Sequence, residues 1–170
     1  MTKIEYSRAS EASTLCQACG LCCTGHLFSW VRLKAVELNP PEKLGLHVIR
    51  SAPRQRGFTQ PCPMWNGGCT IYDSPNYPKG CDSYKCKLLR ELLDESVSLP
   101  KALRVVQQTK KLIQEVDAFL PDASDLSFRE RLVTQLEGGT TDQAFQRKAQ
   151  ELLQKYEAQF GVNDLIVVSD

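Results

Sequence analysis

The chain has no apolar run approaching the roughly 18 consecutive residues that span a bilayer, so no transmembrane segment and no membrane partner are expected. Its first thirty residues lack a basic region followed by an apolar stretch, so no secretory signal is expected and the expected location is cytoplasmic. A dominant charge sign is also missing. The 21 Lys+Arg and 20 Asp+Glu leave a formal charge of +1, which disfavours nucleic acid as a partner and leaves a protein partner open. Only two histidines are present, neither in a Ser/His/acid or Cys/His arrangement suited to a nucleophile. No Gly-rich phosphate loop exists, since Gly67-Gly68 and Gly138-Gly139 are short and each suits a turn or a helix cap. Triad hydrolysis and loop-bound nucleotide chemistry are therefore set aside, and the residues alone do not decide whether the chain is an enzyme.

Glycine and proline are scarce in one half only. Residues 1–87 hold seven of ten Gly, seven of nine Pro and all eight Cys, whereas residues 88–170 hold three Gly, two Pro and no Cys. Charge divides in the same way, with 11 basic and 6 acidic residues before residue 88 and 10 basic and 14 acidic after it. A turn-rich half that cannot build long regular elements needs staples, and ligated metal would supply them.

The second half reads as helices. Leu88, Leu89, Leu92 and Leu93 form one stripe. A second helix opens at Ser98-Leu99-Pro100 and continues the 3.6 period through Leu103, Val106, Leu112, Ile113, Val116, Phe119 and Leu120 until Pro121. Ser127–Glu130 is a capping-box pattern before Leu132, Val133 and Leu136, and Thr140–Gln143 repeats it before Phe145, Ala149, Leu152, Leu153, Tyr156 and Phe160. In the first half, Leu27–Leu33, Arg56–Gln60 and Cys69–Tyr72 read as short strands, Asn66-Gly67-Gly68 as a hairpin turn, and Glu42–Ile49 as a short helix. The expected fold class is α+β. A small cysteine-rich, metal-stapled module of short strands and turns over residues 1–90 precedes an all-helical extension, residues 91–170, packed on it as one compact unit.

The cysteines are spaced Cys16-x2-Cys19-x2-Cys22-Cys23-x38-Cys62-x6-Cys69-x11-Cys81-x4-Cys86. In a reducing compartment so dense a pattern points to metal rather than disulfides. A C-x-x-C turn presents two sulfurs to one Zn²⁺ or to neighbouring irons of a cluster, and here two such registers share Cys19. Adjacent residues point their side chains apart, so Cys22 and Cys23 should serve different metals or bridge two. The distal four, Cys62, Cys69, Cys81 and Cys86, sit at predicted turns. Two Cys₄ zinc sites, one polynuclear site, or a cluster plus a zinc all fit eight thiolates. Cys16, Cys19 and Cys22 match the start of the bacterial ferredoxin run, but His26 and Leu27 stand where its last Cys-Pro belongs. His26 is either a substitute ligand or an imidazole beside the ligands; His47 is the expected structural histidine.

Cys16-Gln-Ala-Cys19-Gly20-Leu-Cys22-Cys23, followed by Cys62-Pro63, Gly68-Cys69-Thr-Ile-Tyr72, Pro78-x-x-Cys81 and Tyr84-x-Cys86, resembles the CxxCxxCC zinc- or iron-chelating domain family, the YkgJ-type cysteine-cluster proteins. The resemblance covers about residues 12–90. It implies a metal-chelating module, often described loosely as an iron–sulfur oxidoreductase, and a related cysteine pattern occurs in flagellin lysine methylases. Where members carry Arg around the P-x-x-C segment, this chain has Tyr77 and Asp82.

The functional expectation is thus a metal-chelating protein that binds zinc, an iron–sulfur cluster or both, in one or two centres, through eight cysteines. A redox or modification-accessory role would go with it. The alternative is a zinc-stapled protein-interaction module without catalysis, presenting its helices or the Lys79, Tyr84, Lys85, Lys87 surface. A thiol oxidoreductase using Cys16 and Cys19 is weaker, because no thioredoxin-like βαβ pattern surrounds them. A nucleic-acid patch of Lys79, Lys85 and Lys87 with Tyr77 and Tyr84 is weaker than the same lysines balancing thiolate charge.

Overall fold

The computed structural model describes residues 3–123, 126–139 and 141–163. Among them run seven helices: α1 (Lys3–Cys19), α2 (Asn39–Lys43), α3 (Lys79–Ser83), α4 (Lys87–Leu93), α5 (Leu99–Asp117), α6 (Phe128–Glu137) and α7 (Gln143–Lys155). Three short strands, β1 (Trp30–Arg32), β2 (Val48–Ile49) and β3 (Gly57–Thr59), form an antiparallel sheet in the order β1-β3-β2. The fold class is α+β with a helical C-terminal half, as expected. None of the described helices is long and apolar enough to cross a membrane.

The chain divides into two compact units, and the division differs from a cut at residue 90. Residues of Met1–Cys19 and Cys86–Asp170 form one unit, and Gly20–Lys85 form the other. The difference comes from α1, a helix that no apolar stripe in the sequence marks. Leu15 is its buried anchor, and it packs on α4 and α5. Its exposed C-terminal carbonyls need donors. Lys110 of α5 provides one, its Nζ donating to the Ala18 carbonyl at 2.7 Å, a cation placed where the helix dipole favours it.

The remaining helices of this unit follow their stripes. On α5, Ala102, Val106, Thr109, Leu112, Ile113 and Val116 are buried; Phe119, expected in the stripe, lies beyond the helix end and is exposed. Thr109 completes the inward face because its hydroxyl donates to the Val105 carbonyl at 2.8 Å, so its burial leaves no polar atom orphaned. Ser127 caps α6 as predicted, accepting from the Glu130 amide while the Glu130 carboxylate accepts from the Ser127 amide. The cap of α7 is Asp142, whose carboxylate accepts from the Ala144 and Phe145 amides at 2.8 and 3.0 Å; Thr140, in the predicted pattern, lies outside the described residues. Beyond Lys155 the helix widens into a π turn, Tyr156–Phe160, which stops at Gly161 in the left-handed conformation (φ 70°). Phe145, Ala149, Leu152, Tyr156 and Phe160 are all buried.

In the Gly20–Lys85 unit the sheet is shorter than its hydrophobic pattern. Leu27–Leu33 contributes only Trp30–Arg32, paired with β3 in the register Trp30↔Thr59, Val31↔Phe58 and Arg32↔Gly57. Asn39–Lys43 is helical and Val48–Ile49 is a strand, so the short helix expected over Glu42–Ile49 is displaced toward Pro40-Pro41, prolines suited to a first turn. Cys69–Tyr72 is not a strand. Trp65 and Cys69 form a single bridge around Asn66-Gly67-Gly68, with Gly67 at φ 71°, in agreement with the hairpin-type turn expected there. Leu33, Leu38, Leu46 and Phe58 are the core of this unit, and Cys62, Met64, Ile71 and Cys81 pack against them. Two cysteines therefore rest on the little apolar core that this half possesses.

Candidate metal centre

Cys16 and Cys19 occupy the last turn of α1, and their i, i+3 spacing places them on one helix face. The C-x-x-C pair expected on a turn is thus helical. Cys86 is the residue preceding the first turn of α4, the helix that packs on α1. Cys86 and Cys19 both act on Cys16. Burial pushes the Cys16 thiol up to about 12, and negative charge on Cys86 and Cys19 adds to the rise. Cys86 is also raised by burial. The Leu89 and Leu88 amides at the start of α4 and the Arg90 guanidinium oppose that rise, although no geometric capping hydrogen bond is closed.

A second group lies in the Gly20–Lys85 unit. The Cys62 amide donates to the Cys23 carbonyl at 2.7 Å, joining the N-terminal cysteine segment to the Pro61-Cys62-Pro63 turn. Burial pushes Cys81 up to about 12, and Cys62, Cys69 and Asp82 raise it further. Cys62 and Cys69 are both raised, again first by burial; the Met64 and Ile71 amides act in the opposite sense. Tyr77 lies in this neighbourhood. Burial raises its phenol, followed by the charges of Cys81, Cys69 and Cys23, and its ring meets that of Tyr72 at 5.3 Å between centroids.

Cys22 and His26 belong to the tight turn between these segments. Gly20 at φ 65° opens it, the Thr24 amide donates to the Gly20 carbonyl at 2.8 Å, and the His26 amide donates to the Leu21 carbonyl at 3.0 Å. A side chain at Gly20 would strike the Trp65 ring, at 2.0 Å from its nearest carbon, so glycine alone allows the indole to lie over the loop. The Thr24 hydroxyl donates its single proton to the Gly20 carbonyl at 2.9 Å. His26 Nδ1, 2.6 Å from the same hydroxyl, must therefore be the donor in that contact. His47 is exposed, and its backbone carbonyl accepts from the Thr59 amide at 3.0 Å.

All eight cysteines are partly buried and none is joined in a disulfide. Cys16, Cys19 and Cys86 share one neighbourhood, and Cys23, Cys62, Cys69 and Cys81 share another. Among the described residues no set of three or more Cys, His, Asp or Glu side chains is drawn close enough to hold a metal ion. The donors are of the kind a soft metal takes, but among the described residues they do not close around one point. Tyr77, which the sequence offers at a position where the resembled family carries Arg and as a member of a weak nucleic-acid patch, stands instead in the electrostatic neighbourhood of Cys81, Cys69 and Cys23. No family model, curated protein or solved structure matches the chain.

Proposed function

We propose that the eight cysteines chelate metal, as zinc or as an iron–sulfur cluster, in a protein related to the CxxCxxCC cysteine-cluster family. The single observation supporting this most strongly is the grouping of half-buried thiols from distant segments around one another without disulfides. Thiols collected in this way stay protonated, because each thiolate would be desolvated and would repel its neighbours. A bound cation reverses both penalties, since a coordinating thiol is deprotonated outright. Cys16, Cys19 and Cys86 would hold one metal, Cys23, Cys62, Cys69 and Cys81 another, and Cys22, next to Cys23 in the chain, would supply the eighth thiolate. Zinc would supply folding free energy, and an iron–sulfur cluster would add one-electron chemistry.

The test is anaerobic purification followed by a visible spectrum and quantitation of Fe, Zn and acid-labile sulfide. Brown protein with stoichiometric sulfide supports the cluster, and colourless protein with zinc supports the stapled interaction module. Protein without stoichiometric metal of either kind refutes the reading.

A further inference from the structure

A cavity of about 660 Å³ in the Gly20–Lys85 unit gathers four cationic residues, beside α3, the helix that also carries Cys81. Arg32, Lys34, Arg56 and Lys79 line it, against one carboxylate among the lining residues, Glu37. The chain as a whole is almost neutral, so four cations gathered at one cavity are a local construction rather than a reflection of overall charge.

The backbone explains how they meet. Arg32 ends β1 opposite Gly57, and the Leu33 amide donates to the Arg56 carbonyl at 3.1 Å, so the two arginines lie at the same end of the paired strands β1 and β3. Lys79 opens α3 on the adjoining wall. That wall approaches because of Gly80: a β-carbon there would stand 2.7 Å from the Arg32 carbonyl oxygen and 2.8 Å from a Val31 methyl. The Lys34 amide donates to Glu37 Oε2 at 2.8 Å, which engages the carboxylate in its own turn. Among the described residues, none of the four cations takes part in an ion pair.

We propose that this cavity binds a small organic molecule carrying a di- or triphosphate. Guanidinium forks match phosphate oxygens bidentately and lysines add point charges. Four cations exceed what one phosphate group requires, and the volume lies within the range of roughly 300–1,000 Å³ of small-molecule sites. Ala35 and the Gly80 backbone give the organic part an uncharged wall.

Titration calorimetry of the full chain with inorganic pyrophosphate and with ADP, at about 0.1 M salt, tests this, with metal content followed in parallel. Saturable binding of both is expected, ADP the tighter. Arg32→Gln and Lys79→Gln, changes of exposed side chains that leave the core intact, should each weaken pyrophosphate at least about tenfold, as loss of a charge-assisted hydrogen bond implies. Lys111→Gln, on exposed α5 surface outside the cavity, should leave affinity unchanged. Absence of saturable pyrophosphate binding overturns the proposal, as does equal weakening by Lys111→Gln. ADP binding no tighter than pyrophosphate overturns the organic part of the ligand.

Discussion

At the residue scale, two positions show how little freedom the chain has once its backbones meet. Gly57 has φ 153°, and a β-carbon there would lie 1.8 Å from the Val31 carbonyl oxygen. Because the obstacle is backbone in the paired strand, no rotamer relieves it, and Gly57→Ala must break the β1–β3 register. A loss of about 3 kcal/mol is expected, read from the denaturation midpoint. Tyr156 is the opposite case: its ring is wholly buried, but its hydroxyl is a buried oxygen with no hydrogen-bond partner among the described residues. Burial raises that phenol, Arg129 lowers it and Cys19 raises it again. Removing an orphaned polar atom relieves a desolvation cost, so Tyr156→Phe should raise stability by about 1 kcal/mol. A variant less stable than the parent would show that the hydroxyl has a role in solution.

At the element scale, α6 depends on its reciprocal cap. The Ser127 side chain and then its backbone amide, both hydrogen-bonded to Glu130, hold that carboxylate below the usual glutamate range. A depressed folded value means that the stabilisation is complete above the unfolded value, about 4.3, and is lost as pH falls through the lower folded value. Ser127→Ala should cost about 1 kcal/mol near neutral pH. In Glu130→Gln the difference from the parent should shrink as pH drops below about 4.3; a difference constant from pH 7 to pH 3 would remove the carboxylate from the account. Ser127 and Glu130 were legible as a cap because the signal is local. The first helix was not, because α1 is held by Leu15 packing among distant helices and by the Lys110 contact at its end. Its own residues carry no stripe from which this could be read.

At the scale of the whole molecule, the two cysteine groups predict separable effects of mutation. If each holds metal, Cys16→Ser should lower metal content by one group's share and reduce amide protection in α1 and α4. Cys81→Ser should do the same for residues 20–85 and their small core of Leu33, Leu38, Leu46 and Phe58. Hydrogen exchange resolved by segment, with metal analysis of each variant, distinguishes the two. Identical, chain-wide loss from both substitutions would mean that the sulfurs serve a single centre. The physical basis is that metal binding is folding free energy, of order 10 kcal/mol for a structural site, which a small core cannot replace.

By itself the sequence determined the helical C-terminal half, its stripes and the Ser127 cap, the hairpin turn at Asn66–Gly68 and the eight cysteines as one vocabulary of soft donors. These are read from periodicity and nearest neighbours, which need no knowledge of distant contacts. Tertiary structure alone decided that Cys16 and Cys19 end a helix, that Cys86 joins them from seventy residues away along the chain, and that Tyr77 stands among Cys81, Cys69 and Cys23. It alone brought Arg32, Lys34, Arg56 and Lys79 to one cavity. Such groupings depend on which segments pack together, and packing is a property of the folded whole that spacing along the chain does not encode.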